Sequence, residues 1–292
     1  MSNGGNKMFI YKRADQVEKE QVFEAFQKGF SDYLIKFEMT QGDFFHRFFG
    51  TDGNELSLSY VAFDKDRPVG LILGGIKEFD GVRTLRCGTL CVIPEYRGKG
   101  VSSGLLDLHT ESARENQCAQ LFLEVIKGND RAVSFYEKNG YEKVYDLKYY
   151  TLDRQDFLRE ELETDASYPV REMELKEALA LRSRFTDLHL NWQSDFEVLE
   201  KSSDVILHGA YHGEDPVGFI AFKENGRILL LWVDAPYRKQ GLGRKLLRDA
   251  ARKVTADKLH MSFSNHAPLR GFVKRTGFTE DKLSQFEMYQ IL

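Results

Sequence analysis

Cysteine is scarce in this chain of 292 residues: there are three, an odd number and too few for a disulfide framework. Cys87 and Cys91 lie four apart on an expected strand and so share a face, but no second Cys/His pair accompanies them, which is poor spacing for zinc. They read as small buried hydrophobes of a reducing compartment. The seven histidines form no pair on one helix face, so no metal is expected. No run of eighteen apolar residues occurs, and no basic N-terminal region precedes an apolar stretch. The expectation is a cytoplasmic protein that neither spans a membrane nor is secreted. Positive charge is not in excess, with 41 basic against 45 acidic residues and a net charge of −4. Without a basic, aromatic-interleaved strip, nucleic acid is not an expected partner. Low-complexity segments are absent.

What is present is a repeat. Val92-Ile93-Pro94-Glu95-Tyr96-Arg97-Gly98-Lys99-Gly100-Val101-Ser102 is echoed by Val233-Asp234-Ala235-Pro236-Tyr237-Arg238-Lys239-Gln240-Gly241-Leu242-Gly243. Each stretch leads from an apolar strand through a Pro-Tyr/Arg turn and spaced glycines into a Leu-rich helix. A loop of this kind turns successive backbone N–H groups toward one point at a helix N-terminus, and that point attracts phosphate. The length suits two domains, each able to bury a core. From Asp153 to Pro169 the chain is charged and loses strand periodicity, which places a first domain at 1–153 and a second, shortened one at 168–292, joined by a helix or a flexible linker.

Periodicity fills in the rest. In the first half, Val17, Val22, Phe23, Phe26 and Phe30 fit a helix, and an aromatic-rich helix is expected over Asp43 to Phe49. A meander follows over Ser57 to Phe63, Val69 to Phe79 and Arg83 to Ile93, turned by Asp64-Lys65-Asp66 and Asp80-Gly81. After the loop come a helix over Ser103 to Asn116, a buried strand over Ala119 to Ile126, a short helix over Asp130 to Asn139 and one or two strands from Tyr141 to Leu152. The second half predicts a helix over Glu172 to Arg184, three strands ending at Val233, the loop, helix Gly243 to Lys253, strand Leu259 to Phe263, helix Leu269 to Thr276 and a last strand near Phe286 to Ile291.

Each loop is followed by a second motif: Asn129, Ala132, Phe135-Tyr136 and Gly140-Tyr141 in the first half, Asn265, Phe272 and Gly277-Phe278 in the second. This order resembles the GNAT superfamily of acetyl-CoA-dependent N-acetyltransferases, and the likeness covers nearly the whole chain as a tandem pair. Leu123-Glu124-Val125 further resembles the ribosomal-protein alanine N-acetyltransferase branch. The resemblance implies an α+β fold, a mixed and mostly antiparallel sheet flanked by helices, with two central parallel strands splayed around the pantetheine arm. It implies a diphosphate cradle at Arg97, Gly98, Lys99, Gly100, Val101, Ser102 and Ser103, with Ser102 standing where the pattern has glycine. A second cradle is implied at Arg238, Lys239, Gln240, Gly241, Leu242, Gly243 and Arg244. Leu90, Cys91 and Val92 match the strand edge beside the pantetheine, with the Val92 amide facing the thioester oxygen as an oxyanion donor. Leu231, Trp232 and Val233 match it in the second half, and Asn129 matches a residue that helps to hold the coenzyme.

Acetyl transfer to an amine needs a neutral nucleophile. Deprotonating a lysine-type amine at pH 7 costs roughly 4–5 kcal/mol, so a carboxylate is wanted as base and a phenol as acid for the departing thiolate. The resemblance gives these roles to Glu124 and Tyr136. In the second half Val273 stands opposite Tyr136, and His260-Met261-Ser262 opposite Glu124. Catalysis is therefore expected in the first half, with the second structural or a binding lobe; the reverse remains open, since other tandem members work from the C-terminal half. A non-catalytic acyl-CoA-binding or interaction protein is the competing class. The acceptor is a small-molecule or peptide amine, the assembly a monomer or homodimer. Phe37, Phe44, Phe45, Phe48 and Phe49 either line an apolar acceptor pocket or form core.

Overall fold

The computed structural model describes residues 9–33, 35–160, 168–185 and 189–292. It begins with strand β1 (Ile10–Arg13), helix α1 (Lys19–Gly29) and helix α2 (Gln41–Phe45). Thr40 starts α2: its hydroxyl accepts the Asp43 N–H while the Asp43 carboxylate accepts the Thr40 N–H, a capping box. The aromatic helix expected over Asp43 to Phe49 thus begins two residues earlier, and at His46 it widens into a π-turn, His46–Thr51. Strands β2 (Glu55–Asp64), β3 (Arg67–Phe79) and β4 (Val82–Val92) form the antiparallel meander. Asp80 and Gly81, at φ of 53° and 76°, make the tight left-handed turn that a two-residue hairpin needs. Helix α3 (Val101–Glu115), strand β5 (Gln120–Ile126) and helix α4 (Asp130–Lys138) follow.

The scheme then repeats: β6 (Glu142–Asp153), α5 (Arg154–Arg159), β7 (Val170–Glu172), α6 (Leu175–Ala180), α7 (Phe196–Lys201), β8 (Ile206–His212), β9 (Asp215–Phe222), β10 (Arg227–Val233), α8 (Leu242–Lys253), β11 (Lys258–Ser264), α9 (Ala267–Arg275) and β12 (Thr279–Ile291). The helix expected over Glu172 to Arg184 is shorter, because Val170–Glu172 hydrogen-bonds to β8 as an edge strand. The start of the expected linker is helix α5, and residues 161–167 lie outside the described segments. No helix among the described residues is long and apolar enough to cross a membrane.

The chain divides into two compact units. The first comprises residues 1–125, 129–144 and 287–292, the second 126–128 and 145–286. A cut at 153 therefore misplaces 126–128, 145–153 and 287–292. Leu147 to Asp153 of β6 register antiparallel with Ser264 to Lys258 of β11, inside the second unit. The chain's last residue belongs to the first, where the Leu292 N–H donates to the Ala119 carbonyl.

In the first unit α1 and α2 press Phe26, Phe44 and Phe48 onto Val61, Phe63, Leu71 and Leu73. Phe37, Phe45 and Phe49 pack against the same cluster, so the aromatic group is core. Each fully buried phenylalanine contributes on the order of 2–3 kcal/mol. On the opposite face α3 lies so close that a Cβ on Gly70 would meet Val101 at 2.9 Å. The second unit has the same layering. Leu246, Leu247 and Ala250 of α8 cover one face with Val217 and Leu231, while Phe196 and Leu199 of α7 cover the other with Phe219 and Trp232.

Candidate active site

In each unit two parallel strands pair briefly and then part. β4 meets β5 only over Thr84 to Cys87 against Gln120 to Leu123. The parting begins at a bulge: Cys87 faces Gly74 and Thr89 faces Leu73, which leaves Gly88 as the extra residue. The second unit repeats this, with β10 meeting β11 at Arg227 and Ile228 and Leu229 as the extra residue. Beyond the bulge the ladder dictates where amides point. The Ile93 N–H donates to the Val69 carbonyl at 3.0 Å, so Val92, paired with Gly70, turns its own N–H and C=O away from β3 and into the gap. By the same alternation Leu90 also faces the gap. Asp234 donates to Val217 at 2.8 Å, which turns Val233 and Leu231 into the second gap.

Cys91 corrects the expectation. Its alternation sends its main chain to β3, and its thiol is buried under Ala25 and Gly29, where burial pushes it up to about 12. It is a core residue, not a lining of the gap.

At the end of each strand the loop forms a cup. Gly98 and Gly100 have φ of 71° and 86°, and Lys239 and Gly241 have 63° and 82°. The left-handed positions turn the following amides inward, and Gly100 and Gly241 are the N-caps of α3 and α8. Among the described residues, no hydrogen bond within the protein engages the N–H groups from Gly98 to Ser103 or from Lys239 to Arg244. Each cup is a cluster of unengaged donors at a positive helix end, which fits a diphosphate.

Several side chains expected to grip the coenzyme hold the cup instead. Arg97 donates from Nε to the Val92 carbonyl, forms a fork on the Asp32 carboxylate and reaches the Gly29 carbonyl. Its own amide donates to Pro94. Arg238 repeats the bond to Val233 at 2.8 Å. Lys99 donates to the Glu95 carbonyl at 2.6 Å and Gln240 to the equivalent Pro236 at 3.1 Å. Val101 and Leu242 offer only their amides, since their side chains are core. These residues brace the loop against its own strand and turn.

In the second unit the cup opens into a cavity of about 900 Å³. Leu231, Trp232, Val233, Gly241, Gly243 and Arg244 line it from β10 and the loop, and His266, Phe272 and Arg275 from α9. Arg244 is also paired with Glu160. His266 is a residue the sequence reading missed. It caps α9 through Nδ1, which accepts the Leu269 N–H at 3.1 Å, as Asn129 caps α4 by accepting the Ala132 N–H at 3.3 Å. The expected counterpart, Asn265, lies at φ 32° and accepts the Asp146 N–H instead.

The acid–base candidates sit in the first unit. Tyr136, on α4, is 7% exposed, with its ring 5.6 Å from that of Tyr141. Its hydroxyl lies beside the Cys87 thiol, at the last paired position of β4. Burial first, then the neighbouring Cys87, hold the phenol well above its ordinary range, so it stays a proton donor. Cys87 is likewise pushed up to about 12 by burial. Glu124, the expected base, lies on β5 where the strands part and is engaged in a buried ion pair. Arg86 Nη2 donates to Glu124 Oε2 at 2.6 Å, and the two side chains are 7% and 2% exposed. In the second unit the matching positions hold Val273, Ile228, Ser262 and Arg227, and Val273 is fully buried in core. Among the described residues no cluster of three or more His, Cys, Asp or Glu could hold a metal.

Comparison with known proteins agrees with this geometry. Residues 19–141 match the acetyltransferase (GNAT) family, and residues 174–291 match the acetyltransferase (GNAT) domain. The chain is 31% identical over 103 residues to N-alpha-acetyltransferase 30 of Schizosaccharomyces pombe, an overlap of 35% of this chain and 68% of that protein. It is 36% identical over 106 residues to an N-alpha-acetyltransferase of Saccharolobus solfataricus, covering 33% and 64%. The chain thus spans about two thirds of the length of these relatives. Among solved structures, a tandem GNAT protein from the clavulanic acid biosynthesis pathway superimposes with a TM-score of 0.68 at 15% identity, covering 97% of this chain and 98% of that one. A GCN5-related N-acetyltransferase from Sphaerobacter thermophilus gives 0.68 at 14% identity, over 97% and 95%. These two show likeness of fold. The chain is a member of the GNAT family with two such domains in tandem, an α+β fold. It is an acetyltransferase, of a family that uses acetyl-CoA as co-substrate.

Proposed function

We propose that the first unit transfers acetyl from acetyl-CoA to a primary amine by direct attack, through a tetrahedral intermediate. The observation that carries this reading is the cup at Gly98 to Ser103, whose main-chain N–H groups have no partner among the described residues and which adjoins a parted strand pair with a buried phenol beside it. In this scheme the cup takes the diphosphate, the Leu90 and Val92 edge pairs with the pantetheine, and the Val92 N–H donates to the developing oxyanion. Tyr136, kept protonated by its surroundings, gives a proton to the departing thiolate. Glu124 is the carboxylate at the apex, held by Arg86. The relatives are named N-alpha-acetyltransferases, which favours a peptide N-terminus as acceptor, read by a cytoplasmic protein.

A second reading places transfer in the second unit. Its support is the large cavity behind the second cup; against it stands Val273 at the acid position. The test is release of free thiol from acetyl-CoA over a panel of amines. Tyr136→Phe is expected to lower turnover by about 10²–10⁴-fold, the range of a general acid. Full turnover in that variant moves the chemistry to the second unit. Coenzyme uptake without turnover on any amine makes the chain a binding protein.

A further inference from the structure

We infer that Arg86 is a specificity-determining residue: by holding Glu124 in a buried ion pair, it confines acetylation to primary amines that arrive already neutral, the peptide N-terminal kind rather than the lysine side-chain kind. This rests on the reading that the first unit acetylates amines.

The pair is built into the apex of the site. Arg86 registers with Phe122 across the β4–β5 ladder, and Glu124 lies two residues on, on the same face of β5. The contact is 2.6 Å and neither side chain reaches solvent. With Oε2 engaged by the guanidinium and the side chain buried, the carboxylate is held back from an incoming amine. The groups around the pair reinforce it. The Asp52 carboxylate acts on Arg86 from the turn after α2, and Cys87 adjoins it on β4. Tyr136 and Tyr141 face Cys87, and burial keeps both phenols and the thiol protonated, so they can supply a proton but not accept one.

The second unit gives an independent view of the arginine. Arg227 occupies the place of Arg86 beside the second bulge, with Ser262 where Glu124 would be. Its Nη2 donates to the Gln193 carbonyl and to Oε1 of the same residue. A guanidinium therefore stands beside the bulged strand even where no carboxylate exists. Its job is to brace the apex, and in the first unit Glu124 is what it braces against.

The proton balance then closes without an enzyme base. The lone pair of a neutral amine forms the C–N bond and the C–S bond breaks. Tyr136 protonates the thiolate sulfur, the new amide nitrogen loses a proton to water, and water restores the phenol. The fraction of neutral amine is then set by the acceptor. With reference values of about 7.7–8.0 for an α-amine and 10.4 for lysine, that fraction differs by roughly 300-fold at pH 7.

The experiment measures kcat/KM against pH for trifluoroethylamine, glycinamide, ethanolamine and butylamine, which rise in basicity. It adds one peptide with a free N-terminus and one, N-terminally blocked, with a single lysine. The wild type should show an acid limb that moves with the acceptor, and a lysine peptide about 300-fold poorer at pH 7. In Glu124→Gln the limb should still follow the acceptor, whatever the absolute rate. In Arg86→Gln, with Arg86→Lys as the variant that keeps the charge, release of Glu124 should narrow the gap between the peptides at least tenfold and fix the limb on the enzyme. Near-ultraviolet circular dichroism identifies a variant that has lost its fold, in which case the wild-type and Glu124→Gln limbs decide. A wild-type limb that stays at one pH for every amine, or that vanishes in Glu124→Gln, overturns the inference alone. Absence of turnover on any amine overturns the reading of the site beneath it.

Discussion

The two units share a backbone and differ in side chains. Arg97 and Arg238 donate to Val92 and Val233 at 2.9 and 2.8 Å, Lys99 and Gln240 reach back to equivalent carbonyls, and Asn129 and His266 cap equivalent helices. Against this sameness stand Tyr136 and Val273, Glu124 and Ser262, Cys87 and Ile228, and, on the helices behind the cups, His109 and Ala250. Binding that relies on main-chain donors survives almost any change of residue that preserves φ and ψ. Proton transfer relies on one side chain at one position and is lost with a single replacement.

The sharpest way to break the comparison is to spoil one cup at a time. Valine at Gly100 or Gly241 must adopt a left-handed conformation that costs an L-residue about 1–2 kcal/mol, and its side chain hangs over the amides. Gly100→Val is expected to lower kcat/KM for acetyl-CoA by about 100-fold or more, the effect of losing the charge-assisted bonds to the diphosphate. Gly241→Val should remove one of two coenzyme-binding steps in calorimetry. The opposite pattern reverses the roles of the units.

A smaller effect separates the units by acid. His109 is fully buried, neither ring nitrogen has a partner among the described residues, and burial pushes it down to about 3. Above pH 6.5 the ring is neutral folded or unfolded and adds no pH dependence. Below it the unfolded chain takes up a proton that the folded one refuses, so stability falls as pH drops toward 3, by up to about 1.4 kcal/mol per pH unit. Urea unfolding at pH 7 and pH 4.5 should show His109→Leu losing about 2–3 kcal/mol less than wild type between the two. Equal losses would show that the ring finds a partner.

The smallest effect is local strain. Lys239 holds φ 63° where the first cup has Gly98. Lys239→Gly should stabilise the second unit by up to about 1 kcal/mol, read as a rise in its melting temperature. A fall would mean that the lysine side chain repays the strain elsewhere.

Legibility followed the range of the interaction. The cups were readable because each is a contiguous run of turn residues, and the helix N-terminus follows from the same run. Tyr136 was readable for the same reason, lying within a short helix beside its own motif. The Arg86–Glu124 pair was not, since its members are far apart in sequence and meet only through the β4–β5 register. His266 was missed because the stretch from Met261 to the cap of α9 is one residue shorter than that from Leu123 to Asn129, which shifts the motif off its spacing. The exchanged membership of the last strands left no mark either. β6 and β12 both show strand-like alternation, and nothing local says which unit each will serve.

That exchange sets a timetable for synthesis. Because Glu287 to Leu292 belong to the first unit, that unit can close only after residue 292 has been made. A nascent chain stalled after residue 153 leaves β5 with an open edge and nothing yet translated to cover it.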